Sequence, residues 1–287
     1  GVENLPAAPG LDADAMLAAA ADGEVRALVV GGVEPDDFRN PHAALHGLEE
    51  ADFVISLETR LSQVTERADV VFPVSLIEER SGTFLNLEGR ERVVTKYLGA
   101  EHVMSDLRVL AALADAMGAP LGVRTAAEAK AEIDELGRWE GTRAGAPNHA
   151  PAAAVGLGEG EAILATWREL IDDSRGADGE AALLATARRP VVRMNEAMAN
   201  GLPEGTMVRI SGAGDGEIVL PLAVTPAMID GVIWVPTAAP GVRVSTALGA
   251  VPGDVVRVAL AEGSPQQPPL KPAGEGKQQD LSEGAGA

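Results

Sequence analysis

The nine residues Gly82 to Arg90, GTFLNLEGR, place two glycines among Thr83, Asn86, Glu88 and Arg90. Those side chains suit ligand recognition. Thr83 and Asn86 supply neutral hydrogen bonds, Glu88 a carboxylate, and Arg90 a planar fork that fits phosphate or carboxylate. Gly82 and Gly89 permit backbone shapes closed to other residues and close approach of a bound group. The preceding run, DVVFPV, is apolar enough to be a buried strand, so the loop would lie at a strand's carboxyl end. The alternative is a tight turn whose polar groups satisfy one another. Composition alone favours the turn.

Other candidates are weaker. His42 and His46 lie four apart, a spacing that can place two metal ligands on one helix face. A zincin motif needs Glu after the first His, and Ala43 stands there, so a solvated helix face is the better reading. Gly31-Gly32 after an apolar run lacks the full dinucleotide-binding spacing. No G-x-S-x-G is present. With no cysteine, the chain offers no thiolate nucleophile, no disulfide and no Cys-held zinc or iron–sulfur cluster. The residues alone therefore supply no nucleophile, base or metal.

The elements that must position these groups read in two styles. Residues 1–137 alternate helix and strand signals: LDADAMLAAAADG, VRALVVGG, PHAALHGLEEA, DFVISLE, DVVFPV, SDLRVLAALADAMG and TAAEAKAEIDELG. Such alternation with apolar strands predicts a doubly wound, mostly parallel sheet with helices on both faces. Ligands in these sheets sit beyond the strands' carboxyl ends, here Gly31 to Asn40 and the stretch after Val74. Residues 138–186 read as an Ala-, Gly- and Pro-rich linker with one helix, EGEAILATWRELIDD. Residues 187–262 show short strands and frequent turns, which predicts a small β barrel. Pro221 implies an edge or bulge in one strand. Residues 263–287 lack a hydrophobic period and read as a disordered tail.

The chain has 287 residues, 46% of them hydrophobic, and a net charge of −20. Such acidity repels phosphate backbones and anionic lipid, arguing against nucleic-acid binding and direct membrane insertion.

The segment ADVVFPVSLIEERSGTFLNLEGR, Ala68 to Arg90, resembles a signature of molybdopterin-type oxidoreductases. Val191 to Pro236 resembles the double-psi barrel at the C-terminus of the same superfamily. Within it the chain is most similar in style to the large iron–sulfur subunit (the G subunit) of bacterial NADH:quinone oxidoreductase, respiratory complex I, as its C-terminal portion. The resemblance implies an α/β domain followed by a double-psi-like barrel. It also implies a polypeptide that passes electrons from NADH and FMN through iron–sulfur clusters toward quinone. Those clusters would lie in an N-terminal part outside this chain, which would be a scaffold with no catalytic residue, metal or redox centre of its own. The partners implied are the other subunits of the peripheral arm, and the location is cytoplasmic, on the inner face of the cell membrane. In catalytic relatives the loop carrying Gly82, Thr83, Asn86, Glu88, Gly89 and Arg90 approaches a molybdopterin, so these positions mark a remnant pterin-facing loop. Two alternatives are the C-terminal half of a catalytic enzyme, such as a formate dehydrogenase or nitrate reductase, and a free-standing binding module.

Overall fold

The computed structural model describes residues 9–99, 103–137, 140 and 155–261. The chain divides into two units, Gly1–Pro35 with His42–Ala153, and Asp36–Pro41 with Ala154–Ala287.

In the first unit, helix α1 (Ala13–Ala21) starts where the Asp12 carboxylate accepts the Ala15 amide at 2.9 Å. It is followed by strand β1 (Ala27–Gly31), helix α2 (Pro41–Glu50) and strand β2 (Phe53–Glu58). Pro41 opens α2 because a first-turn amide needs no intrahelical acceptor. A turn in which Ser62 and Thr65 bond each other leads to β3 (Val70–Pro73). The three strands are parallel in the order β1-β2-β3, and Val74 continues the sheet with a parallel bridge to Met104. A two-stranded hairpin, β4 (Gly82–Leu85) and β5 (Glu91–Val94), forms its own sheet. Helices α3 (Asp106–Ala116) and α4 (Ala126–Leu136) close the unit, capped by Ser105 and Thr125.

The sheet has a core on each face. Leu28 and Val54 pack with Ala20, Leu48 and Val64 from α1, α2 and the turn. Leu57, Val74 and Val109 pack with Ile55, Phe72 and Leu113, so α3 lies on the opposite face. Gly47 is where α2 meets α1: a Cβ there would lie 2.3 Å from the Leu17 carbonyl oxygen.

The second unit is a closed six-stranded barrel, ordered β10-β6-β13-β8-β9-β7. Its strands are β6 (Glu161–Trp167), β7 (Val192–Met194), β8 (Met207–Ser211), β9 (Glu217–Val224), β10 (Val232–Pro236) and β13 (Val255–Leu260). A small hairpin, β11 (Ala238–Ala239) and β12 (Val242–Arg243), precedes helix α7 (Val244–Leu248). Short helices α5 (Ala181–Leu184) and α6 (Glu196–Ala199) lie between β6 and β8. Alternate strand residues, among them Leu164, Val192, Ile210, Leu222 and Ile233, fill the interior. Each such side chain removed from water contributes about 1.5–3 kcal/mol.

Two expectations need correction. Residues 161–167 form strand β6, not a helix, and β6 pairs with β10 and β13. The barrel therefore begins well before residue 187. Glu, Ala and Leu favour helix locally, yet Ala162 and Leu164 alternate into the barrel core, and closure of the barrel overrides propensity. Pro221 is not on an edge strand. It lies where β9 leaves its pairing with β8, Met207 being opposite, and passes to β7 at Leu222. The expected tail, residues 263–287, lies outside the described residues. So do residues 138, 139 and 141–154 of the expected linker. Among the described residues, no helix is long and apolar enough to cross a membrane.

Candidate functional site

The Gly82–Arg90 segment is a hairpin and its tip. Thr83 pairs with Val93, and Leu85 with Glu91. At the tip the Asn86 amide donates to the Arg90 carbonyl at 3.1 Å, and the Gly89 amide to the Asn86 carbonyl at 2.9 Å. The Asn86 side-chain oxygen accepts the amides of Glu88 at 3.0 Å and Arg90 at 2.9 Å. Its side-chain nitrogen donates to Glu88 at 3.4 Å, and Arg90 pairs with the same Glu88 oxygen at 3.2 Å. Gly89 has φ +74°, the left-handed region that glycine adopts freely. So the fold brings Asn86, Glu88, Gly89 and Arg90 into one cluster, and their polar groups engage one another. Gly82 and Thr83 stand at the other end of β4.

The tip is exposed, and a Cβ added at Gly82 or Gly89 would meet nothing within 4 Å. These glycines serve backbone shape, not close approach to packed atoms. The exposed Arg90–Glu88 pair contributes at most about 1 kcal/mol.

Sequence reasoning missed a groove in the same unit. It encloses about 830 Å³ between the base of the hairpin, the N-terminus of α3 and the side of α4. Arg80, Lys96, Arg108, Arg124 and Lys130 line it, on a chain whose net charge is −20. Of the six residues singled out from sequence, only Thr83 lines it. Much of the positive charge is already matched. Arg80 pairs with Asp106, Arg124 with Asp115 at 2.6 Å, and Lys130 with Asp134 and with Glu91 at 3.7 Å. The Asp115 carboxylate, by hydrogen bond and by charge, raises the Arg124 pKa. Asp134 does the same for Lys130. Glu79 and Asp106 also line the groove, so its wall carries both signs of charge. Its signal in the sequence is the concentration of basic residues between positions 80 and 130 of an acidic chain.

His46 lies 3.9 Å from Glu50 on exposed helix surface. Among the described residues no group of three His, Cys, Asp or Glu side chains is arranged to hold a metal ion.

The loop after β1 has a structural partner that the sequence did not disclose. The second unit includes Asp36–Pro41. There Ser245 donates to the Asp36 carbonyl at 2.6 Å and Thr246 to the Asp36 carboxylate at 2.9 Å. Arg243 lies 3.4 Å from the same carboxylate. Nη2 of Arg39 donates to both Asp254 carboxylate oxygens, at 2.9 and 3.1 Å, and Arg168 reaches Asp37 at 2.8 Å. This short segment is strapped onto the end of β6, β12, α7 and the approach to β13 by side chains 131 to 215 positions away.

No family model matches the chain. The G subunit of the NADH-quinone oxidoreductase of Mycobacterium bovis is 45% identical over 262 residues, 90% of this chain. The G subunit of Streptomyces coelicolor is 41% identical over 268 residues, 91% of this chain. The chain is a G-subunit-like sequence. It spans about a third (32%) of the length of either relative. Among solved structures, acetylene hydratase from Pelobacter acetylenicus superposes with a TM-score of 0.54 at 18% identity. That match covers 78% of this chain and 39% of the other, and it supports the fold: an α/β unit with a parallel sheet together with a barrel. The G-subunit-like chain thus carries its strongest sequence motif on an exposed hairpin whose tip is internally bonded.

Proposed function

We propose that this chain is the C-terminal scaffold portion of the G subunit of an NADH:quinone oxidoreductase. In that polypeptide electrons pass from NADH and FMN through iron–sulfur clusters toward quinone. The clusters belong to an N-terminal part, and this portion holds no redox centre. Its partners are the other subunits of the enzyme's peripheral arm, on the cytoplasmic face of the membrane. The observation that carries the reading is the 45% identity to the mycobacterial relative over 90% of the chain.

Two further features support it. The chain has no cysteine, so it has no thiolate for an iron–sulfur cluster. Five of the six loop residues also do not fit a buried pterin. Both hydrogen-bonding sites of the Asn86 oxygen are taken within the turn, Glu88 holds Arg90, and no cradle surrounds Gly82 or Gly89. The hairpin then serves as a brace that keeps the geometry of a cofactor edge.

The test is to tag the complete polypeptide in its native cells and purify from solubilised membranes. Co-purification of NADH:quinone oxidoreductase activity is the expected result. A tagged protein that purifies alone, or with formate or nitrate chemistry, overturns the reading.

A further inference from the structure

The described asparagines differ in how firmly they are held. The Asn86 side-chain oxygen takes two backbone amides. Asn195 is buried, accepts the Met198 amide at 2.9 Å and donates to Asp230 at 3.3 Å. Asn40 precedes Pro41, which has no N–H. Asn200 is exposed, and its side chain has no hydrogen bond among the described residues.

Local geometry explains why Asn200 is there. Helix α6 has four residues and ends in a left-handed turn. Asn200 has φ +47° and ψ +43°, and Gly201 follows at φ +77°. Among the described residues Asn200 is the only non-glycine with positive φ. Two successive left-handed positions select Gly and, next to it, Asn, whose short polar side chain tolerates that region. The turn between β7 and β8 thus sets an Asn directly before a Gly, the one such pair in the chain.

That pair has a chemistry of its own. A backbone nitrogen attacks the side-chain carbonyl of a preceding Asn when it is unshielded and unbonded. Gly201 carries no Cβ to shield its nitrogen, and the space beside it is open, since an added Cβ would meet nothing within 4 Å. Its amide donates to no acceptor among the described residues, whereas the amides on either side do: Asn200 to the Glu196 carbonyl at 3.1 Å, and Leu202 to the Ala199 carbonyl at 2.8 Å. Only those two bonds must loosen for the Asn200–Gly201 peptide to turn toward the side chain, and the end of so short a helix opens at little cost.

We propose that Asn200 is a site of spontaneous deamidation, through a cyclic imide formed with Gly201. The Gly201 nitrogen bonds to the Asn200 Cγ, the Cγ–Nδ2 bond breaks, and ammonia leaves with the proton of the Gly201 amide. Water then opens the ring at one carbonyl or the other, giving aspartate or isoaspartate. Nothing is oxidised or reduced. Isoaspartate lengthens the main chain by one carbon between Ala199, which is in the barrel core, and Leu202, which packs against it. The proposal is independent of the proposed function.

The test uses the complete polypeptide in its purified assembly, held at mildly alkaline pH and physiological temperature in heavy-oxygen water, then digested and read by mass spectrometry. The Asn200 peptide should take up the label and appear as both isoaspartate and aspartate. It should do so on the order of tenfold faster than the Asn86 peptide, whose two accepted hydrogen bonds must break first. Asn200→Gly keeps the left-handed turn and should remove the conversion with the melting temperature unchanged. An Asn200 that stays intact while the denatured polypeptide converts overturns the proposal. So does conversion no faster than at Asn86. Aspartate without isoaspartate also overturns it, because that product marks direct hydrolysis without the ring.

Discussion

The side-chain oxygen of Asn86 accepts the backbone amide of Arg90 at 2.9 Å, closing the hairpin tip across four residues. The same oxygen takes the Glu88 amide, so one side chain organises the turn. Asn86→Ala should lower the local stability of the hairpin by about 1 kcal/mol, the net worth of such bonds. Asn86→Asp keeps the acceptor and should recover most of it. Amide exchange at Glu88 and Arg90 reads the effect. The melting temperature should hardly move, because the hairpin contributes little to either core.

Asp36 and Thr246 offer a second test. The Thr246 hydroxyl donates to the Asp36 carboxylate at 2.9 Å, and Arg243 adds a partner at 3.4 Å. Asp36→Ala should destabilise the barrel unit by about 1–2 kcal/mol, since it leaves a part-buried donor unmatched. A double-mutant cycle with Thr246→Val in denaturant titrations should give a coupling of about 1 kcal/mol. Additive single effects would show that the strap is held by its other contacts.

The turn between β8 and β9 should tolerate no side chain at Gly212. A Cβ there would lie 2.3 Å from the Leu248 carbonyl oxygen, and backbone cannot move aside cheaply. Gly212→Ala should cost about 1–3 kcal/mol, as other overpacking substitutions do, with a lowered denaturation midpoint. Gly241→Ala is the comparison. It meets no neighbour within 4 Å, and its φ of +78° makes backbone strain the only penalty.

Acid should fray the start of α4. Glu128 accepts the amides of Arg124 at 2.8 Å and Thr125 at 2.9 Å, in a capping box with Thr125. The Arg124 amide first, then the Thr125 hydroxyl and amide, hold its carboxyl below the usual value. A group whose folded pKa is depressed lends stability above its unfolded pKa and loses it as pH falls through the folded one. The Thr125 amide resonance should therefore shift on acidification below the ordinary glutamate range. Glu128→Gln should abolish that dependence.

Several features were legible because single positions announce them. Pro41, Ser105 and Gly118 mark helix ends by capping chemistry, the sequence leaves the first cap between Asp12 and Asp14 where the structure uses Asp12, and apolar runs mark β1, β2 and β3. Strand β6 was not legible: its residues prefer helix, and only pairing with β10 and β13 makes it a strand. The β11–β12 hairpin and α7 were missed because two-residue strands carry no period. At the site, Asn86 and Gly89 were visible as turn formers. The groove and the Asp36 strap were not, because they join residues far apart in sequence: Arg80 with Lys130, and Asp36 with Thr246.

The scaffold claim is tested most directly by the molybdenum, tungsten and pterin content of the complete polypeptide, purified in its assembly. The expected result is an iron-containing protein with neither metal and no extractable pterin. Stoichiometric molybdenum or tungsten together with a pterin would contradict the scaffold reading and make the Gly82–Arg90 hairpin part of a working cofactor site.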